Sequence, residues 1–378
     1  NSMAAFERGV VMGLGTYMAA LLERWITSHI RDVNGNRVEL SLGATDIFRG
    51  AVAETADNLV ALVENENLVK LLKIDDSDNK NIDAFIKEVG LGAAGKAAWL
   101  VALARASDAD RIKAYSGLET MLKHGDFIKN YNAKLSAFGL GTDAIINLFF
   151  EIAVGIGGTT NLQDRALKLD QLTIAINEEH KNRDELMKFG SDATNQLKGL
   201  GLNAGEEAVM SAMLSSIARA VLGGKAGAWV VQNLLTNIRN AKFVNSLIPS
   251  AALNLASLRM DLNKILSVIF QIGTDLEGSV SDRNAKLGEL ENAFETMGLN
   301  NVDFTLKVSA AVAKLKEEIP GLDLDRDGGI SLAVSVIVNK VLGGGDDGGG
   351  ATVDKFLARL GLVNELIPEV AKLKSSLG

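Results

Sequence analysis

Apolar residues recur at three- and four-residue spacing along nearly the whole chain, the period of a helix with one buried face. Leu59, Val60, Leu62 and Val63, running on to Leu68, Val69, Leu71 and Leu72, set the pattern early. Only Val38-Glu39-Leu40-Ser41-Leu42 alternates with period two, and it reads as a short strand or an extended connection. The periodicity predicts an all-α protein, a bundle or repeat array of glycine-punctuated helices that includes two long ones. The first long helix is expected from about Leu162 to Phe189. Its middle, residues 177–185, is polar all round and should project into solvent or span a gap. The second follows Leu255, Leu258, Leu262, Ile265, Ile269, Ile272 and Leu276, which step by three and four like the a and d positions of a coiled coil. A weaker seam follows at Val280, Leu287, Leu290, Phe294 and Met297. Between the long helices lies an apolar helical block, Ala208–Ile238, extending to residue 250.

Internal similarity sharpens this reading. A Leu-Gly pair closes at Gly43, Gly92 and Gly141, 49 residues apart each time. Looser relatives are Gly199-Leu200-Gly201, Met297-Gly298-Leu299 and Leu360-Gly361. Each reads as the end of a helix, because glycine enters the left-handed conformation at little cost. A second echo is longer. Val221-Leu222-Gly223-Gly224 leads to Val244-Asn245-Ser246-Leu247-Ile248-Pro249, and Val341-Leu342-Gly343-Gly344 leads to Val363-Asn364-Glu365-Leu366-Ile367-Pro368. The blocks lie about 120 residues apart and suggest duplication of a helix-loop-helix unit. The expected organisation is a helical repeat region at 1–158, a long-helix region at 159–300 and a C-terminal region at 301–378 that partly repeats residues 208–258. Gly343–Gly350 reads as a flexible loop.

Composition narrows the function classes. The 378 residues carry a net charge of −8, which argues against nucleic acid and against simple attraction to anionic membranes. No cysteine is present, so disulfides, thiolate metal sites and cysteine nucleophiles are excluded. Aromatic residues are few, and three prolines are too few for a turn-rich β fold. The apolar stretch Gly9–Leu22 has acidic and basic flanks and no small-residue cleavage site, so it is not read as a secretory signal. The longest uncharged run, Phe243–Leu258, is too short and too polar to span a bilayer, so no transmembrane helix is expected.

Candidate chemistry is sparse. Gly90-Leu91-Gly92-Ala93-Ala94-Gly95-Lys96 matches two glycine-rich phosphate patterns at once. Both need a preceding strand, and the lysine should be followed by a hydroxyl, yet residues 83–89 read as helix and position 97 is Ala97. The stretch therefore reads as a repeat turn, with a nucleotide site as the alternative. Asp323, Asp325, Asp327 and Ser331 stand at the first, third, fifth and ninth positions of a calcium-loop pattern, with Gly328 at the turn. The twelfth position should be a carboxylate and is Val334. Weak calcium binding competes here with an acidic helix start. The three histidines are scattered without metal-ligand spacing, and His180 reads as solvated. Trp25, Trp99, Trp229, Met210 and Met213 read as core, and Glu178-Glu179 and Glu317-Glu318 as exposed helix charges. No catalytic constellation emerges and no resident cofactor is expected. The best-supported class is a non-enzymatic structural or interaction protein, binding a protein partner or itself through helical surfaces. The alternative is a membrane- or lipid-interacting protein, a pore former or carrier of an apolar ligand. A nucleotide-binding enzyme using the Gly90–Lys96 loop is a third.

Overall fold

The computed structural model describes Val69 and residues 72–318, 326–344 and 348–360. Every regular element among the described residues is helical. The candidate strand at Val38–Leu42 and the glycine at Gly43 lie outside them. The chain divides into two compact units, 1–173 and 174–378. The division falls inside a helix, later than residue 158, and residues 301–378 group with residues 174–300.

In the first unit the helices are α1 (Asp76–Val89), α2 (Gly92–Arg105), α3 (Asp108–Lys123), α4 (Phe127–Ser136) and α5 (Thr142–Gly157), followed by the start of α6 (Leu162–Lys181). Short polar caps start two of them. Asp75 accepts from the Asp78 amide at 2.8 Å, and Ser107 from the Asp110 amide at 3.1 Å. Each accepts a donor that the first helical turn leaves unpaired. Gly90 ends α1 at φ 68° and Gly139 follows α4 at φ 73°. The left-handed terminator is thus the glycine before the leucine. Gly92 and Gly141 instead begin the next helices. α5 is the core of this unit. Ile145, Ile146, Phe149, Ile152 and Ile156 are buried, and the helix packs on α2 and α3. At the α3–α5 crossing the two backbones touch. A Cβ on Gly117 would lie 1.8 Å from the Ala153 carbonyl oxygen, and one on Gly157 would lie 1.7 Å from that of Lys113.

The second unit holds the rest of α6, then α7 (Arg183–Gly199), α8 (Glu206–Leu222) and α9 (Gly227–Ile238). A π-helical turn (Phe243–Leu247) leads into α10 (Ile248–Ser257), α11 (Leu262–Asp275), α12 (Val280–Leu299), α13 (Asn301–Glu318) and α14 (Arg326–Leu342). Residues 349–360 form a further helix. α11 is the core here: Ile265, Leu266, Ile269, Phe270 and Ile272 are buried, and the helix packs on α8, α9 and α10. The apolar block 208–238 is α8 and α9, with Met210, Met213, Leu214, Val230, Val231 and Leu234 buried. No helix among the described residues is long and apolar enough to cross a membrane.

Both long helices are broken. The 162–189 helix stops at Asn182, whose side-chain amide donates to the Glu178 carbonyl at 2.7 Å and competes with the backbone ladder. The 255–276 seam turns a corner at Arg259, which adopts φ 60°, and restarts when Asp261 caps α11 through the Asn263 and Lys264 amides. All the seam residues but the half-buried Leu262 are buried, divided between α10, α11 and the turns that end them, because heptad spacing survives a tight turn that keeps the apolar sides inward. Two glycine assignments also change. Gly298 lies inside α12, where a Cβ would meet the Asn254 side chain at 2.1 Å. The glycine-rich stretch after α14 is packed where it resumes: a Cβ on Gly349 would lie 1.6 Å from the Glu289 carbonyl oxygen.

The duplication extends well beyond a helix-loop-helix. α8 and α14 each have 17 residues, and α6 and α12 each have 20. α8 and α14 end alike. Gly224 donates to Val221 at 2.9 Å and Gly344 to Val341 at 3.2 Å, both with positive φ. Asn182 after α6 matches Asn300 after α12, and each side-chain amide bonds a carbonyl four residues back. Buried positions correspond at a spacing of 118: Leu169 with Leu287, Leu172 with Leu290, Ala175 with Ala293, Leu186 with Phe304. The Val363–Pro368 echo lies outside the described residues.

Candidate functional site

The Gly90–Lys96 stretch is occupied by helix contacts. Helix α1 precedes it, the Gly95 amide donates to the Leu91 carbonyl at 3.2 Å, and Lys96 Nζ pairs with Asp83 at 2.7 Å. A phosphate cradle needs free amides and a free lysine. The lysine and the Gly95 amide are both committed elsewhere here.

Of the calcium-pattern residues, Asp323 and Asp325 lie outside the described residues. Asp327 and Ser331 lie on α14, which begins at Arg326, so the turn glycine Gly328 is helical. The neighbouring Gly329 fits closely against α13, since a Cβ there would meet Val312 at 2.4 Å. Val334 at the twelfth position is fully buried. Among the described residues, no three His, Asp or Glu side chains gather closely enough to hold a metal ion.

The isolated residues sort as follows. Trp99, Met210 and Met213 are core. Trp229 is not: it is 40% exposed, with Lys225 Nζ 5.1 Å above its ring and paired to Asp275 at 2.8 Å. The lysine holds a large aromatic at the surface. His180 is exposed, and His124 Nε2 lies 2.9 Å from Asp170.

The most elaborate polar arrangement was not anticipated. In the first unit, Arg165 near the start of α6 donates from Nε to the Thr159 carbonyl at 2.6 Å and from Nη2 to the Gly157 carbonyl at 3.1 Å. Its Nη1 reaches Ser116 Oγ at 2.8 Å and Thr120 Oγ1 at 3.0 Å, both on α3. One guanidinium thereby closes the carbonyl end of α5, anchors α6 and grips α3. In the second unit Arg283 repeats the pattern 118 residues later. Nε donates to the Gly278 carbonyl at 2.9 Å, Nη1 to the Leu276 carbonyl at 2.9 Å and also to Asn237 Oδ1, and Nη2 to Asn233 Oδ1 at 2.8 Å. A rigid five-donor fork suits a site where several carbonyls converge at a helix end, and its charge complements the negative pole there. A signal for it exists in the sequence. Asp164-Arg165 with Lys168-Leu169 recurs as Asp282-Arg283 with Lys286-Leu287.

Glu179 is a second unanticipated residue. It lies in the run expected to be solvated, yet it is fully buried and both carboxyl oxygens lack a partner. Burial pushes its carboxyl pKa well above the usual range. At a spacing of 118 its counterpart is Met297, also fully buried.

The third arrangement is a groove of about 520 Å³ in the second unit. Ser246, Ser250, Asn254 and Ser257, from the π-helical turn and α10, form one wall. Glu291, Glu295 and Leu299 on α12 face them across it. Ser246 Oγ donates to Glu291, whose pKa is raised by burial, with Lys242 opposing the shift.

Compared with described protein families, with curated proteins and with solved structures, the chain matches none.

Proposed function

We propose that this chain is a non-enzymatic structural and interaction protein, a helical scaffold of repeated modules that presents surfaces to a partner protein or to further copies of itself. One observation carries the reading: the same arginine closes the same three-helix joint twice, at residues 165 and 283. The polar side chains gathered at both joints are spent on holding helices together. Arrays of helical repeats offer extended surfaces of this kind.

Size-exclusion chromatography with light scattering, from dilute to concentrated protein, tests the self-association arm. Growth in mass with concentration supports it, and so does a stable complex with a partner protein. A chain that stays monomeric, binds no protein and turns over a substrate overturns the scaffold reading. The membrane- or lipid-interacting alternative draws on residues 208–238. Their burial against α11 weighs against it. Dye leakage from liposomes, or lipid that copurifies with the chain, would favour it.

A further inference from the structure

The repeat supplies its own control for deciding which surface positions are special. Most buried positions of α6–α7 and α12–α13 correspond and stay apolar, Glu179 and Thr194 excepted, whereas the outer face does not stay alike. Thr173 and Asn177 correspond to Glu291 and Glu295. Lys181, Asp184 and Lys188 correspond to Leu299, Val302 and Leu306. Lys181, Asp184 and Lys188 are exposed, as charged residues are expected to be. Leu299, Val302 and Leu306 are 78%, 69% and 65% exposed. Nothing in the packing of the second copy demands three large apolar side chains in water, because the same positions carry charges in the first. Exposed apolar side chains at three- and four-residue spacing across the α12–α13 joint mark an interaction site.

The groove states what that site accepts. Leu299 forms one end of it, and Glu295 and Glu291 follow at one-turn intervals along α12. Glu295 is exposed, and Glu291 is half-buried and poorly solvated. The opposite wall offers hydroxyls and an amide but no cation. Lys242 acts on Glu291 only electrostatically, and its Nζ donates to the Asn284 carbonyl at 3.1 Å. From Glu291 to Leu299 the wall runs about 12 Å, two turns of a helix at 1.5 Å per residue. Acid at one-turn spacing beside an apolar stripe is the complement of an amphipathic helix whose apolar edge is bordered by lysine or arginine.

We propose that the α10–α12 groove and the Leu299–Val302–Leu306 stripe dock a basic amphipathic helix of a partner protein. The proposal rests on the scaffold reading and names the partner class for one of its surfaces. The occupant lays leucine-like residues on the stripe and sets cations against Glu291 and Glu295. Charge complementarity selects it over an acidic helix.

The test uses the full chain and a fluorescently labelled helical peptide of leucine and lysine, with a glutamate-for-lysine peptide as control. Fluorescence anisotropy is expected to show binding of the lysine peptide alone. L299K/V302D/L306K installs the residues that the first copy carries at these positions, so the backbone tolerates them. It is expected to weaken binding on the order of a hundredfold. E291Q/E295Q is expected to weaken it about five- to tenfold, with a shallower salt dependence. Equal binding of both peptides, or an unchanged affinity in a triple variant whose circular dichroism stays helical, overturns the proposal. So does a dimer that the triple variant dissolves, which makes the stripe a self-contact. So does capture of the wild type alone by phosphatidylcholine vesicles, which makes it a lipid contact. The scaffold reading survives the first three outcomes, because it is judged by light scattering and by other protein complexes.

Discussion

The two arginine joints make the same connection across different gaps. In the first unit α3 and α5 touch through Gly117 and Gly157, so the short hydroxyls of Ser116 and Thr120 reach Arg165 directly. In the second unit Leu234 stands where Gly117 stood, 117 residues later, and its side chain packs over Gly273. Asparagines replace the hydroxyls there. Asn233 and Asn237 each accept from Arg283 through Oδ1 and donate through Nδ2 to carbonyls of Gly273, Thr274 and Leu276. An amide can accept and donate at once across its own width, which a hydroxyl does over a shorter span. Helix separation selects the side chain, and the arginine stays constant.

The sharpest way to break this comparison is to force the first joint apart. G117A places a methyl against a carbonyl oxygen that cannot move aside, and is expected to cost about 3 kcal/mol or more in urea unfolding. G273A meets the flexible end of Leu234 at 2.8 Å and is expected to cost about 1 kcal/mol. Equal costs would show that the two crossings do not differ as described.

Next in size is Glu179. E179M copies the second repeat into the first and is expected to add about 2–3 kcal/mol near neutral pH, since it removes an unpaired buried carboxyl. With its pKa raised by burial, folded Glu179 keeps its proton to a higher pH than the unfolded chain does. Stability from this group is therefore complete below the ordinary carboxylate range and falls as pH rises towards the raised value. The E179M stability curve should be flatter across that window. Parallel curves for the two proteins would refute the assignment.

Smaller again is the loss of the guanidinium fork. R165K and R283K keep the charge but not the planar donors, and each should lower stability by about 1–2 kcal/mol. R283K is expected to cost more, because both asparagine Oδ1 atoms lose a donor. Reversal of that order in thermal unfolding would mean the hydroxyl joint is the stronger one.

Calcium should give the smallest effect. If Asp323, Asp325, Asp327 and Ser331 hold an ion, millimolar calcium raises the melting temperature slightly, and D323N/D325N removes the rise. No rise at all disposes of the calcium reading and leaves that of an acidic helix start.

How much of this was legible follows from where the signals sit. Helix content and the places of the glycine turns were readable because they depend on neighbours a few residues away, although the glycines that end α1 and α4 are Gly90 and Gly139, two residues before Gly92 and Gly141. The two long helices were misread because Asn182 and Asp261 interrupt the backbone without interrupting the apolar period. The joints were hidden for another reason. Arg165 and Arg283 take side-chain partners from 45 to 50 residues upstream, and those partners change type between copies. Only the repeated Asp-Arg and Lys-Leu pairs betray them. Glu179 looked solvated because it sits among Asn177, Glu178 and His180, and its burial becomes legible only when α6 is laid on α12.

Each joint also has a local pedigree. Arg283 draws every partner from its own helix entry and from the fifty residues before it. A genetic exchange that inserts or removes one whole repeat in register therefore delivers an intact joint with the segment it carries. The number of modules in such a chain can then be adjusted by recombination in steps of one repeat, with no compensating mutation at the seams.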